Sequence, residues 1–183
     1  VTSRRLAALF VVFALAGCAV VHRGPSLNDA QNVVALLKFT NNGLPADLSV
    51  TAQFDRPDGD YKTGDPIGLT VTTNKPVSVA VLRVMHSGDT TIVFPNRNQP
   101  DARAANGVVH VTVPAGPEGT ELFEFIAAAD GTAWIFTKKP AALSPYADLG
   151  GATRAIVTDL QTTFRHAERG TVAVSHEAIK IGE

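Results

Sequence analysis

A strict alternation of apolar and polar residues begins at Leu48 and constrains the fold more than any other feature of the chain. In "LSVTAQF", Leu48, Val50, Ala52 and Phe54 fall on one side and Ser49, Thr51 and Gln53 on the other. That period of two is the mark of a half-buried strand. The turn-rich "DRPDGDYKTGDP" leads to a second alternating run, "IGLTVTT", through Ile67, Leu69 and Val71. "VSVAVLRVM" is apolar on both faces and reads as a central strand, and "TTIVF", "VVHVTV" and "ELFEFIA" complete the series. Short strands at close spacing, divided by Gly, Pro and Asn turns, predict a mainly β fold: an antiparallel β-sandwich or partly open barrel. The sandwich domain is placed at residues 48–140.

Residues 141–183 read as a C-terminal helix and closing strand packed on that sandwich. Ser144-Pro145 has the form of a helix start, with Ser as cap and Pro at the first helical position. Leu149, Ile156, Val157, Leu160 and Phe164 then share one face, although Gly150-Gly151 weakens the beginning and leaves a firm helix only from about Ala152 to Arg165. "GTVAVSHEAIKI" closes the chain as a strand that adds to one sheet, with the helix lying across it.

With 183 residues and a formal net charge of -1, the chain suits one domain with appendages. No run of like charge offers the basic face that nucleic acid requires, so none is expected as partner. One cysteine cannot form an internal disulfide, and its position decides its use.

That cysteine is Cys18. Arg4-Arg5 precede ten apolar residues, Leu6 to Leu15, too short a run to span a bilayer, which needs ~20. Leu15-Ala16-Gly17-Cys18 resembles the lipobox of bacterial lipoproteins. The resemblance implies a signal peptide over residues 1–17, cleavage between Gly17 and Cys18, and acylation of the Cys18 sulfur. Each buried CH₂ of an acyl chain contributes ~0.8 kcal/mol, so two or three chains hold a protein stably at a membrane. An uncleaved tilted anchor and an ordinary cleaved signal are the competing readings. Loss of residues 1–17 removes two Arg and leaves 14 basic against 17 acidic residues, a net charge of -3. Residues 18–47 read as the lipidated N-terminus and tether, with a short helix or strand in "AQNVVALLKF". Ala19 stands where an aspartate would resemble an inner-membrane retention signal, which favours the outer membrane, with the domain in the periplasm or at the cell surface.

The middle of the chain resembles the bacterial domain-of-unknown-function family 4384. The likeness rests on Tyr61, Gly64 and Asp65 before a strand, Phe94-Pro95-Asn96 ending a later one, and the stretch from Pro114 to Glu121. It covers roughly Leu48 to Pro140. Each of these residues has a structural explanation in turn or strand-end chemistry. The resemblance implies an envelope location and the β fold, and it implies no activity.

Chemistry is sparse elsewhere. His22, His86, His110, His166 and His176 show no metal-site spacing, and no nucleophile elbow or phosphate loop is present. Asp55, Asp58 and Asp60 lack the calcium-loop spacing and its bidentate Glu, so a solvated turn is expected. Catalytic residues, metals and cofactors are therefore all assigned as none. The long loop Pro95 to Gly107 is the candidate binding loop, through Asn96, Arg97, Asn98, Arg103 and Asn106. Trp134 is either a surface anchor or a core plug beside Ile135 and Phe136. The functional expectation is a non-enzymatic envelope lipoprotein whose β-sandwich binds a protein partner as a scaffold or interaction module. The alternative is a module for cell-wall glycan or a small polar ligand, against which only three Trp and Tyr residues are available.

Overall fold

Alternation of buried and exposed positions dictates which face each strand turns inward. The computed structural model describes residues 47–165, 167 and 170–183. The expected signal peptide, Cys18, the expected tether up to residue 46 with its short helix or strand, His22 and His166 lie outside these residues. β1 (Val50–Phe54), β3 (Pro66–Thr73) and β7 (Val108–Pro114) form a three-stranded antiparallel sheet in the order β1-β3-β7. In β7 every second residue is buried, Val109, Val111 and Val113, as the pattern demands.

The second sheet contains β2 (Asp60–Lys62), β4 (Val77–Val84), β5 (Thr90–Phe94), β6 (Arg103–Ala104), β8 (Gly119–Ala128), β9 (Ala147–Gly150) and β10 (Val172–Gly182). Its order is β2-β10-β8-β4-β5-β9, with β6 beside β4. Ile67, Leu69 and Val71 of the small sheet meet Val79, Val81, Phe123 and Phe125 of the large one, and this is the inner core. The opposite face of the large sheet presents Ala80, Leu82, Ile92 and Ile126 to a second apolar cluster. Two helices supply its cover, α1 (Trp134–Thr137) and α2 (Thr153–Thr163), through Ile135, Phe136, Val157 and Leu160. β4 is apolar on both faces because it is covered on both. The fold is thus a sandwich with a helical third layer. Among the described residues no helix is long and apolar enough to cross a membrane.

Two local expectations are corrected. Ser144-Pro145 does not start a helix. The Ser144 hydroxyl accepts the Tyr146 N–H at 3.1 Å, so the same side-chain-to-backbone bond that caps helices here closes a turn. The chain then runs as β9, pairing Asp148 with Thr91 of β5. α2 begins only after Gly150-Gly151, at Thr153, whose buried hydroxyl bonds the Gly88 carbonyl and the Thr90 hydroxyl, each at 3.0 Å. Those bonds pin the helix start to the β4–β5 turn. The connection between β1 and β3 also contains a strand: β2 runs parallel to β10 in the register Tyr61↔Ile181, so the sheet is mixed at that edge. Three residues in a Gly- and Asp-rich run carry no readable period, yet Tyr61 is buried.

β7 is an outer strand of the small sheet, and two side chains occupy its free carbonyls. Gln99 Nε2 donates to the His110 carbonyl at 3.0 Å, and the Tyr146 hydroxyl donates to the Thr112 carbonyl at 3.3 Å. An edge treated in this way is a poor template for pairing with another chain.

Candidate binding cleft

The polar residues that stand out in the sequence gather first at one end of the sandwich, where three connections meet. Tyr61 donates its O–H to Asp55 Oδ1 at 2.6 Å, and Asp55 also accepts the Gly68 N–H at 3.0 Å. Burial, and then that hydrogen bond, push the Tyr61 phenol up to about 12, while the same bond leads in holding the Asp55 carboxyl below its ordinary range. Arg56 lies 4.8 Å from the centre of the Tyr61 ring and donates to Asp65 at 2.6 Å. Asp65 is also held low, first by the Lys62 N–H and then by Arg56. Gly64, at φ 84°, turns the chain where a side chain is disfavoured, and its N–H reaches the Ala115 carbonyl at 3.1 Å. Asp55 is thus a structural acceptor, and Asp58 bonds the Asp60 N–H at 3.2 Å. Among the described residues no group of three or more His, Cys, Asp and Glu is placed to hold a metal ion.

Beside that knot lies a buried ion pair. Arg83 of β4 and Glu121 of β8 are 7% and 0% exposed. The guanidinium grips the carboxylate twice, Nε to Oε2 at 2.8 Å and Nη2 to Oε1 at 2.6 Å. Nη1 donates to the Pro114 carbonyl at 3.0 Å, and Gly116 N–H donates to Oε1 at 2.9 Å. A Cβ on Gly116 would lie 2.3 Å from Oε1, so only glycine permits this approach. Both charges are fully engaged, which is the condition under which a buried pair is tolerated.

The loop after β5 builds the second polar centre. Asn96 is buried, and its side chain donates to the Val93 carbonyl at 2.9 Å and accepts the N–H groups of Asn98 and Gln99, each at 2.9 Å. It organises the loop from inside, its side-chain amide engaged by the backbone. Arg97 is exposed; its N–H donates to the Pro145 carbonyl at 2.9 Å and its guanidinium to the Ala141 carbonyl. The loop therefore leans on the segment that follows α1. Between them lies an open cleft of about 480 Å³, lined by Pro95, Asn96, Arg97 and Pro100 on one side and by Phe136 to Pro140 on the other. That volume falls in the range typical of ligand sites, about 300–1,000 Å³.

Of the candidate loop residues, Asn96 and Arg97 reach this cleft, whereas Asn98, Arg103 and Asn106 are exposed away from its lining. Arg103 and Ala104 form β6 on β4. Trp134 is half-buried and packs on the outer core, with its indole N–H enclosed and without a hydrogen bond among the described residues. Sequence reasoning missed Lys138 and Lys139. Both are exposed, and neither side chain makes a hydrogen bond or ion pair among the described residues. Their signal was the "TKKP" that follows the apolar "AWIF".

Residues 60–136 match a family model. It is the model described as Domain of unknown function (DUF4384). No curated protein matches the chain. The DUF4384 stretch runs from β2 into α1 and holds Tyr61, Asp65, Asn96, Arg83 and Glu121, each committed to a bond that shapes the fold. One wall of the cleft, Pro95 to Pro100, belongs to it; Lys138, Lys139 and Pro140 of the other wall lie beyond its end.

Proposed function

We propose that the protein is a bacterial envelope lipoprotein, acylated at Cys18, whose β-sandwich is a non-enzymatic protein-interaction module. The cleft between the Pro95–Pro100 loop and Phe136–Pro140 is its contact surface. The observation that carries this reading is the division of labour among polar side chains. The side chains of Tyr61, Asp65, Arg83, Asn96 and Glu121 in the DUF4384 stretch are spent on internal bonds, while the uncommitted cations Lys138 and Lys139 line an open cleft. A site for chemistry needs uncommitted acids, bases or nucleophiles in mutual reach, and the cleft offers cations, prolines and an amide already in use. Contact is the activity such a surface performs. The lipid supplies location: acyl chains at Cys18 hold the body at the membrane without a spanning helix.

Cys18→Ser is expected to abolish incorporation of labelled palmitate and to shift the protein from the membrane pellet to the soluble fraction after cell lysis. Unchanged membrane retention without any acyl mass on the native protein would overturn the anchor.

A further inference from the structure

The described clefts differ in charge balance. The one bordered by α2 and the end of β8 has Asp130 as its charged lining residue, and that carboxylate is occupied by the N–H and hydroxyl of Thr132. The one beside β2 mixes Arg56, Lys62 and Lys180 with Asp60, Asp65 and Glu183, so its charges compensate. The cleft between the Pro95–Pro100 loop and Phe136–Pro140 alone gathers three cations, Arg97, Lys138 and Lys139, with no acid in its lining. The neighbouring Asp101 is turned into its own loop, accepting the Arg103 N–H at 2.8 Å. This concentration of positive charge sits on a chain whose formal charge is negative. A cleft of one sign with apolar walls focuses its field on an oppositely charged ligand.

The walls define the rest of the ligand. Pro95, Pro100, Phe136 and Pro140 make them largely apolar, and prolines present a stiff surface that loses little entropy on contact. Arg97 is already held by the Pro145 and Ala141 carbonyls, which pre-positions its guanidinium while leaving further N–H donors for a carboxylate. A sugar would want an open aromatic platform. Phe136 is 3% exposed and packs edge-on to Phe164 at 6.3 Å, and the Trp134 indole N–H is enclosed.

We infer that this cleft receives an extended acidic segment of a partner protein, its carboxylates held by Arg97, Lys138 and Lys139 and its chain laid against Pro100 and Pro140. The inference rests on the interaction-module reading and names the chemistry of the partner. Charge complementarity at an exposed rim of this kind sets encounter rate and specificity.

Fluorescence anisotropy of the full chain in detergent micelles, with a labelled peptide rich in Asp, Glu and Pro, tests it. Binding is expected to weaken as salt rises, and the matching Asn/Gln peptide is expected not to bind. Lys138→Gln with Lys139→Gln should reduce affinity about tenfold, as two exposed ion pairs imply, and Lys138→Glu with Lys139→Glu should remove it. Both lysines are exposed and uncommitted, so these variants fold; Lys75→Gln, on another surface, should bind as the unaltered chain does. The inference is overturned if the acidic peptide does not bind, if the paired lysine variants bind it undiminished, or if a polygalacturonate oligomer binds in its place. Peptide binding in a protein that carries no acyl mass would fault the anchor and leave the cleft standing. Acylation without peptide binding would fault the cleft alone.

Discussion

Glu121→Ala is expected to destabilise the protein by about 3–5 kcal/mol, the usual consequence of leaving one member of a buried ion pair alone. Arg83, 7% exposed in the unaltered chain, would have no carboxylate to meet Nε and Nη2 and would keep only the Pro114 carbonyl. The Gly116 N–H would lose its acceptor as well. Water does not easily repair this, because the pair lies between β4, β8 and the connection that follows β7. Urea unfolding should show the midpoint falling with the slope unchanged. Replacing both partners with apolar side chains, Arg83→Met with Glu121→Leu, should recover most of the loss, since the penalty belongs to the orphaned charge rather than to the missing attraction. A single variant as stable as the parent would mean that the guanidinium reaches solvent.

Asn96→Ala carries the second large effect and couples stability to the cleft. The Val93 carbonyl would be left buried without its donor, and the N–H groups of Asn98 and Gln99 would lose their shared acceptor. An unsatisfied buried polar group costs about 1–3 kcal/mol. The loop that forms one wall of the cleft would lose its internal brace, so peptide affinity should fall together with the unfolding midpoint. Asn98→Ala, on an exposed side chain of the same loop, should change stability by no more than ~0.5 kcal/mol. Thermal unfolding and anisotropy on the same pair of variants separate bracing from direct contact: a contact role for Asn96 would lower affinity and leave stability untouched.

Why these residues were only partly legible has a physical answer. Period-two alternation marks β1, β3 and β7 because one face of the small sheet is wet and the other meets the inner core. Apolar character on both faces marks β4 because helices cover its second side. An arginine within that apolar strand, Arg83, was the signal of a buried partner, and the sequence does not say that the partner is Glu121, 38 residues away. Tyr61 hides in a turn-rich run, where three residues are too few to show a period. Ser144-Pro145 was misleading because one hydrogen bond serves both a helix cap and a tight turn, and only the pairing of β9 with β5 distinguishes them.

The candidate site divides in the same way. A long polar loop was a sound place to look, and Arg97 does line the cleft. Asn96 proved internal because an amide can satisfy three backbone groups at once, which no composition argument reveals. Lys138 and Lys139 reach the site only because the short helix α1 ends at Thr137 and returns the chain past Pro95, a matter of tertiary geometry.

The decisive measurement is crosslinking in living bacteria from single positions on the surface. A photoreactive residue at Thr137, exposed in the cleft, is compared with one at Thr51, exposed on β1. If the protein works by contact through this cleft, Thr137 yields a discrete protein adduct that disappears with Lys138→Glu and Lys139→Glu, and Thr51 yields none. Adducts from Thr51 alone, or adducts at Thr137 to glycan strands, would contradict it.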